Sequence, residues 1–554
     1  MPVVVGLLCF AAYFLGYRFY ARYLARRVFR LDPSAVTPAH AQRDGVDYVP
    51  TRPAVLFGHH FASIAGLSPM LGPAIAVIWG WLPALLWVVF GTLLIGAVHD
   101  FSALVLSMRA RGMSVGKVAE DVIGPRAKSL FHLIIFFLIA LAMGVFVHVV
   151  ALLFTQVFYP EAVTPTFVLM ALAVGMGLLV TKRGVPLLPL TLVSFGLVMI
   201  PVVMASPGVG PDLSARTWKW ILLGYAFVAS VLPVWLLLQP RDYLNALLLY
   251  LGLVGSYVGF FALSPSFQAP AVDVAPEGAP PLFPFVFIII ACGAVSGFHG
   301  LVSSGTTAKQ IDRETHAPRI GYGGMIGESL LGLLAVLACT AGFSDKLSWE
   351  NHYANWETAS DLGVQISAFI DGTARFLNTL GVPVEFGATF IALVVVSFAL
   401  TSLDSATRLL RFNLSEIGEA PGLGMLRRRV VASLGATAAI GFFAFYEIDG
   451  RAAGLALWQL FGTTNQVLGG LTLLAVTVYL VQRRRNFWVT LLPMVGLLGT
   501  TLVAMVEKIV DFWRGREWPL LVMGIVIVAM ALWLIVEAVA RLRREFARRA
   551  VRQT

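Results

Sequence analysis

Residues 57–73 read FGHHFASIAGLSPMLGP, an apolar stretch interrupted by Gly66, Pro69, Gly72 and Pro73. Proline removes a backbone donor and glycine tolerates unwinding, so a single regular helix is disfavoured here. The surrounding segment, 55–80, is nonetheless long and apolar enough to cross a bilayer, for which about 20 residues suffice. Broken backbone at membrane depth is tolerated only where it lines a cavity or is buried in protein. The competing reading is an ordinary proline kink with two interfacial histidines, His59 and His60. Residues 296–307, SGFHGLVSSGTT, have the same character: glycine interruptions, one histidine and a run of hydroxyls. Two such helices crossing in opposite directions are the sequence pointer to an inverted-repeat secondary transporter. Small-residue helix packing is the plain alternative for the second stretch.

Composition supports the membrane reading. Of 554 residues, 58% are hydrophobic and only 13% charged, with a mean hydropathy of +0.82. Soluble domains carry about 25% charged residues, so a soluble enzyme, a disordered regulator and a secreted disulfide scaffold are all disfavoured. The net charge of +10 comes from short basic clusters between apolar runs, which reads as topology rather than nucleic-acid binding. Cys9, Cys292 and Cys339 are isolated in apolar stretches and suggest neither disulfides nor a thiolate metal site.

Fifteen apolar runs are expected to span: 2–20, 55–80, 83–108, 129–158, 166–181, 185–205, 217–239, 243–263, 283–308, 321–343, 385–408, 430–446, 455–481, 488–508 and 518–540. Arg18, Arg22, Arg26, Arg27 and Arg30 directly follow the first run, which reads as an uncleaved anchor with its N-terminus outside. Alternation then places the 40 Lys and Arg with a four-to-one excess on the cytoplasmic side, and the C-terminus is cytoplasmic. Two cancelling errors would give 13 spans. The Pro-rich loop 264–282 reads as a spacer, and the outer loop 344–384 as a surface helix or cap.

Ionisable groups at membrane depth are costly and mark pathways or coupling sites. The half-helix ends at 64–69 and 296–300 would form a pocket, with His59, His60, Ser68, His299, Ser303 and Ser304 as candidate substrate contacts. Asn465 and Gln466, adjacent near mid-span, either contact substrate or bridge helices. Residues 397–408 carry Thr401, Ser402, Asp404 and Ser405. Their hydroxyls, with carbonyls of Ala62 or Ala65, could ligate sodium. Asp404 could instead pair with Arg408 one turn later. If the coupling ion is a proton, Glu328, Asp404 or a histidine would carry it. No tightly bound cofactor is expected. An intramembrane metalloenzyme using His59, His60, His99, His132, His148 and His299 is the alternative, although no HExxH or i,i+4 histidine pair occurs. There is no GxxxxGK[ST] loop for ATP.

These residues resemble the carbon starvation protein A (CstA) family. The resemblance rests on His59-His60-Phe61, Gly72-Pro73, Gly96-Ala97-Val98-His99-Asp100-Phe101, Arg109 to Ser114, Ser296 to Gln310, Gly321 to Met325, Thr401 to Ser405 and Phe461 to Gln466, in that order. It implies a multi-pass plasma-membrane transporter, not an enzyme, taking up peptides and pyruvate during starvation. It also implies an all-α LeuT-like fold of the APC superfamily. In that register 1–30 is an anchor helix, 55–205 the first five-helix repeat, 217–263 an inserted pair, 283–481 the second repeat, and 488–554 two helices with a basic tail. Thr401 and Ser402 then stand where sodium-coupled relatives place a cation site.

Overall fold

The computed structural model describes residues 1–204, 208–448, 451–452 and 458–551. The end of the basic tail, the start of the span expected at 455–481 and residue 205 of the first expected repeat lie outside the described residues. The chain is all-α apart from a two-residue antiparallel ribbon, Glu447–Ile448 against Arg451–Ala452.

In chain order the main helices are α1 (Pro2–Val28), α2 (Pro53–Ile64), α3 (Ser68–Ala76), α4 (Trp81–Arg109), α5 (Pro125–Leu153), α6 (Pro160–Arg183) and α7 (Leu187–Met204). There follow α8 (Ala215–Val231), α9 (Leu238–Leu263), α10 (Leu282–Ile289), α11 (Gly297–Gly305), α12 (Glu314–Ala341) and α13 (Leu362–Asn378). The last are α14 (Val384–Ile417), α15 (Arg429–Phe445), α16 (Trp458–Gln482), α17 (Trp488–Gly515) and α18 (Trp518–Val551).

Each of the fifteen expected spans contains helix among the described residues, but not all are full-length crossings. Among the described residues, eleven helices are long and apolar enough to cross a bilayer, or twelve with the bent pair α2–α3. The remaining three are α8 and α15, of 17 residues each, and the interrupted α10–α11. Short loops end the helices where the sequence supplies stops and caps. Ser214 accepts a hydrogen bond from Thr217 N–H and starts α8. Asp361 does the same with Val364 N–H for α13, satisfying an otherwise orphan first-turn donor.

Burial sorts the helices. The apolar stretches of α12, α14 and α16 are almost wholly buried, whereas α1, α7, α17 and α18 expose most of theirs. The exposed apolar side chains on these outer helices suit lipid contact. α9 lies along α2, α11 packs between α4 and α16, and α14 packs on α5 and α15.

Two regions differ from expectation. The loop 264–282 is no loose spacer: Trp81 N–H donates to Pro270 O (3.1 Å), Leu82 N–H to Ala271 O (3.0 Å) and Gln268 N–H to Thr340 O (2.8 Å). Trp81 also stacks on Phe267, with ring centroids 4.2 Å apart. These backbone bonds satisfy groups that would otherwise be orphaned, so the proline content stiffens a fixed strap. The second is α13, which is more than a surface cap. Its Ile366, Phe369, Ile370 and Phe376 are buried, and it packs on α9, α12 and α14. An amphipathic face of that width buries itself in the bundle.

Candidate functional site

Both interruptions are real and they meet. α2 stops at Ile64 and the chain turns by 47° before α3. Between α10 and α11 the chain is non-helical over 290–296. A Cβ on Gly72 would lie 2.5 Å from Ile289 O, so only glycine lets the two broken segments touch there. Beside this contact lies a cavity of about 430 Å³, lined by Leu67 and Ser68, Cys292, Phe146 of α5, Phe461 of α16 and Lys508 of α17. Its lining includes Pro280, Trp356 and Ser360, and the exposure of Ser360 puts its mouth on that side. Lys508 is the one cationic side chain among the lining residues, and its Nζ sits 5.2 Å from the centre of the Phe285 ring. A largely apolar concave site with a few polar groups suits a small organic ligand.

Behind the cavity, fully buried acids and imidazoles cluster. His299 Nδ1 lies 3.2 Å from Asp100 Oδ2, and His299 Nε2 lies 3.1 Å from Glu328 Oε2. His99 Nδ1 is 2.8 Å from the other oxygen of Asp100. His60 Nδ1 bonds Thr307 Oγ1 at 2.8 Å.

A second buried group is centred on Arg241, in the first turn of α9. Its guanidinium pairs with Asp242 and Asp404 and donates to Tyr225 Oη. Asp242 Oδ2 is 2.5 Å from His59 Nδ1, and His59 Nε2 is 3.2 Å from Gln310 Nε2. The network therefore ties α2, α8, α9 and α14 together.

A third buried group is centred on Asp47, in the loop before α2. Arg408 Nη1 donates to Asp47 Oδ1 (2.6 Å), and Arg411 Nη2 donates to both carboxylate oxygens (3.0 Å each). Burial pushes the Asp47 carboxyl up, but Arg411, Arg408 and Lys309 outweigh it and hold the group at about 2. The folded value lies below the ordinary 3.8, so this stabilisation is complete above 3.8 and fades as pH falls through about 2. Asp47→Asn is therefore expected to lose about 2 kcal/mol at neutral pH. The check is thermal melting of the solubilised protein across pH. The wild-type advantage should vanish at the acid end, and an equal gap at every pH would contradict it.

The model of the family described as "Carbon starvation protein CstA" matches residues 1–350 and 344–504 of this chain. The peptide transporter CstA of Escherichia coli (strain K12) is 36% identical over 571 residues, covering 91% of this chain and 80% of that protein. The pyruvate/proton symporter BtsT of the same strain is 34% identical over 583 residues, covering 90% and 80%. The chain belongs to the CstA family. Its relatives are transporters rather than enzymes, and this chain is a multi-pass membrane protein of that kind. Among solved structures, the manganese transporter of Eremococcus coleocola aligns over 91% of this chain and 99% of that one, at 14% identity and a TM-score of 0.46.

The expected site residues of this CstA-family chain divide into three places. Of the eight substrate candidates, Ser68 lines the cavity. His59, His60 and His299 lie in the buried networks, and the Ser303 and Ser304 hydroxyls are buried without a hydrogen-bond partner. Asn465 and Gln466 clasp the second broken segment. Asn465 Oδ1 accepts from Phe298 N–H (2.9 Å), capping α11 from outside, and Gln466 Nε2 donates to Phe287 O. Removing the Asn465 amide strands a buried donor. Asn465→Ala is expected to cost about 1–3 kcal/mol, read as a lowered melting temperature. Unchanged melting would remove the cap.

The cation candidates also converge, though largely on protein partners. Ser63 and Ser405 hydroxyls are 2.9 Å apart, and Ser402 Oγ donates to Ser63 O (3.4 Å) beside the buried Ala62 and Ala65. Thr401 Oγ1 donates to Ser397 O and accepts from Asn245 Nδ2, both at 2.8 Å. The pairing of Asp404 with Arg408 is corrected: Asp404 takes Arg241, and Arg408 takes Asp47. α14 continues unbroken to Ile417, so Arg408 sits inside the bundle and points to a different neighbour. The histidines named for the metalloenzyme alternative are held largely by protein partners. His59 pairs with Asp242, His132 with Asn413, and His99 and His299 share Asp100. Among the described residues no three His, Cys, Asp or Glu are placed to hold a metal ion.

Sequence reasoning missed Lys508, Asp47 and the polar face of α9, Gln239, Arg241, Asp242 and Asn245. The last four recur at one to three residue steps in an otherwise apolar helix, which was a readable signal.

Proposed function

We propose that this chain is a secondary active transporter importing small carboxylate nutrients, peptides or pyruvate, by alternating access in the plasma membrane during carbon starvation. The observation that carries it is the cavity at the two helix breaks with Lys508 in its wall. A carboxylate there would meet an ammonium and the positive N-terminal end of α3 at Ser68. Its volume exceeds the needs of a three-carbon acid and leaves room for a short peptide. The relatives named for peptide transport and for pyruvate/proton symport support both substrate classes.

In this reading the mouth faces outside, with the N-terminus, and the Asp47 side and the C-terminus face the cytoplasm. The two breaks belong to LeuT-like repeats of five helices each, with α8 and α9 inserted between them. The driving ion is a proton or sodium, and no resident cofactor is needed. One inward charge supplies about 2.3 kcal/mol per 100 mV, enough for modest accumulation.

The test is uptake of labelled pyruvate and of a labelled alanine dipeptide into proteoliposomes, with proton and sodium gradients imposed separately. Accumulation above the external concentration under one gradient is expected. Uptake that never exceeds equilibrium would mean a channel, and no uptake of either probe would overturn the reading.

A further inference from the structure

We propose that the coupling ion is a proton, and that it is held in the fully buried cluster of Glu328 and His299, with Asp100 as the fixed counter-charge. This rests on the transporter reading above.

The charges of this cluster must balance in a dry interior. A single imidazole, His299, stands between two carboxyl groups, 3.2 Å from Asp100 and 3.1 Å from Glu328, and all three are fully buried. One imidazolium balances one carboxylate. With His299 charged and Asp100 ionised, the cluster is neutral only while Glu328 holds a proton. Release of that proton leaves two buried carboxylates against one cation, which a dry interior penalises heavily. The cluster thus keeps its proton while sealed and gives it up when water reaches it. This balance takes His99 as the neutral tautomer that donates Nδ1–H to Asp100; His60 is bonded to Thr307, and Cys292 lies beside His299. Neither oxygen of Glu328 has a hydrogen-bond partner, nor does His299 Nε2 or His99 Nε2, so His299 and Glu328 meet at ion-pair distance only.

Placement links this proton to the substrate. Cys292 lines the cavity, and the non-helical segment 290–296 runs from it into α11, which carries His299. Glu328 stands on α12 and Asp100 on α4, so movement of α11 separates His299 from both acids. The competing sodium position is poorer, because the Thr401 hydroxyl already donates to Ser397 O and spends one of its two lone pairs on Asn245.

The experiment uses the full chain in proteoliposomes with labelled pyruvate and labelled alanine dipeptide. Wild type is expected to concentrate a probe under an inward proton gradient without sodium. Glu328→Gln is expected to drop the accumulation ratio from roughly tenfold or more to about one, while exchange of internal for external probe persists. His299→Gln serves in the same assay should the first variant fail to fold. Glu328→Asp should restore part of the accumulation. Substrate addition to weakly buffered wild type should take up a proton that Glu328→Gln does not. Full accumulation by Glu328→Gln, loss of exchange along with accumulation in folded variants, or a wild type driven by sodium alone would each overturn the proton site. Those results leave the transporter reading intact. Only a wild type inert to both probes under both gradients defeats that reading.

Discussion

Arg241→Leu is expected to cost this protein most of its stability. Arg241 is fully buried, with Asp242, Asp404 and Tyr225 around its guanidinium. Leucine would leave two carboxylates in the interior with no cation between them. Removing one partner of a buried ion pair costs about 3–5 kcal/mol, against a total stability of about 5–15 kcal/mol. The measurement is the yield and melting temperature of solubilised protein. Arg241→Leu should be low in both, and Arg241→Leu with Asp404→Leu should recover part of the loss. The partial rescue matters more than the loss, because it shows that the stranded charge caused the damage. An unchanged melting temperature in the single variant would remove the network from the account.

Lys508→Met should have the second largest effect, on transport rather than on folding. It removes the one ammonium lining the cavity while keeping a long apolar stem. A charge-assisted hydrogen bond is worth about 1.5–3 kcal/mol, so KM for a carboxylate probe should rise by roughly 10- to 100-fold. Lys508→Arg should lie between. The readout is initial-rate uptake against concentration, with melting measured alongside. A KM within about twofold of wild type would place the carboxylate elsewhere.

The interruptions were legible because glycine and proline act through the backbone, whatever the neighbours. Residues 57–73 therefore announced the first break, between Ile64 and Ser68, whereas the second falls at 290–296, just ahead of the glycines of 296–307, which lie in the helix Gly297–Gly305. Side-chain partners were not legible. Glu328 and His299 lie on different helices, and their approach follows from how α11 and α12 pack, which no periodicity encodes. Arg241 fell in the gap between the expected spans 217–239 and 243–263. Proline is tolerated in a first turn, where its missing N–H is not needed, so α9 begins at Leu238 and takes Arg241 inside. Lys508 marked the expected end of a span, yet α17 runs on to Gly515 and holds the lysine within the wall of the cavity. Asp404 and Arg408 were matched by spacing alone. Long helices offer every residue several neighbours, and buried charges go to the partner that neutralises them best.

In the proposed function the hollow at the two breaks holds the substrate. An electron cryomicroscopy map of the protein saturated with pyruvate or an alanine dipeptide tests it directly. The account predicts ligand density beside Ser68 and Cys292, with a carboxylate about 2.8 Å from Lys508 Nζ. Ligand density at another position, with this hollow unfilled, would contradict it.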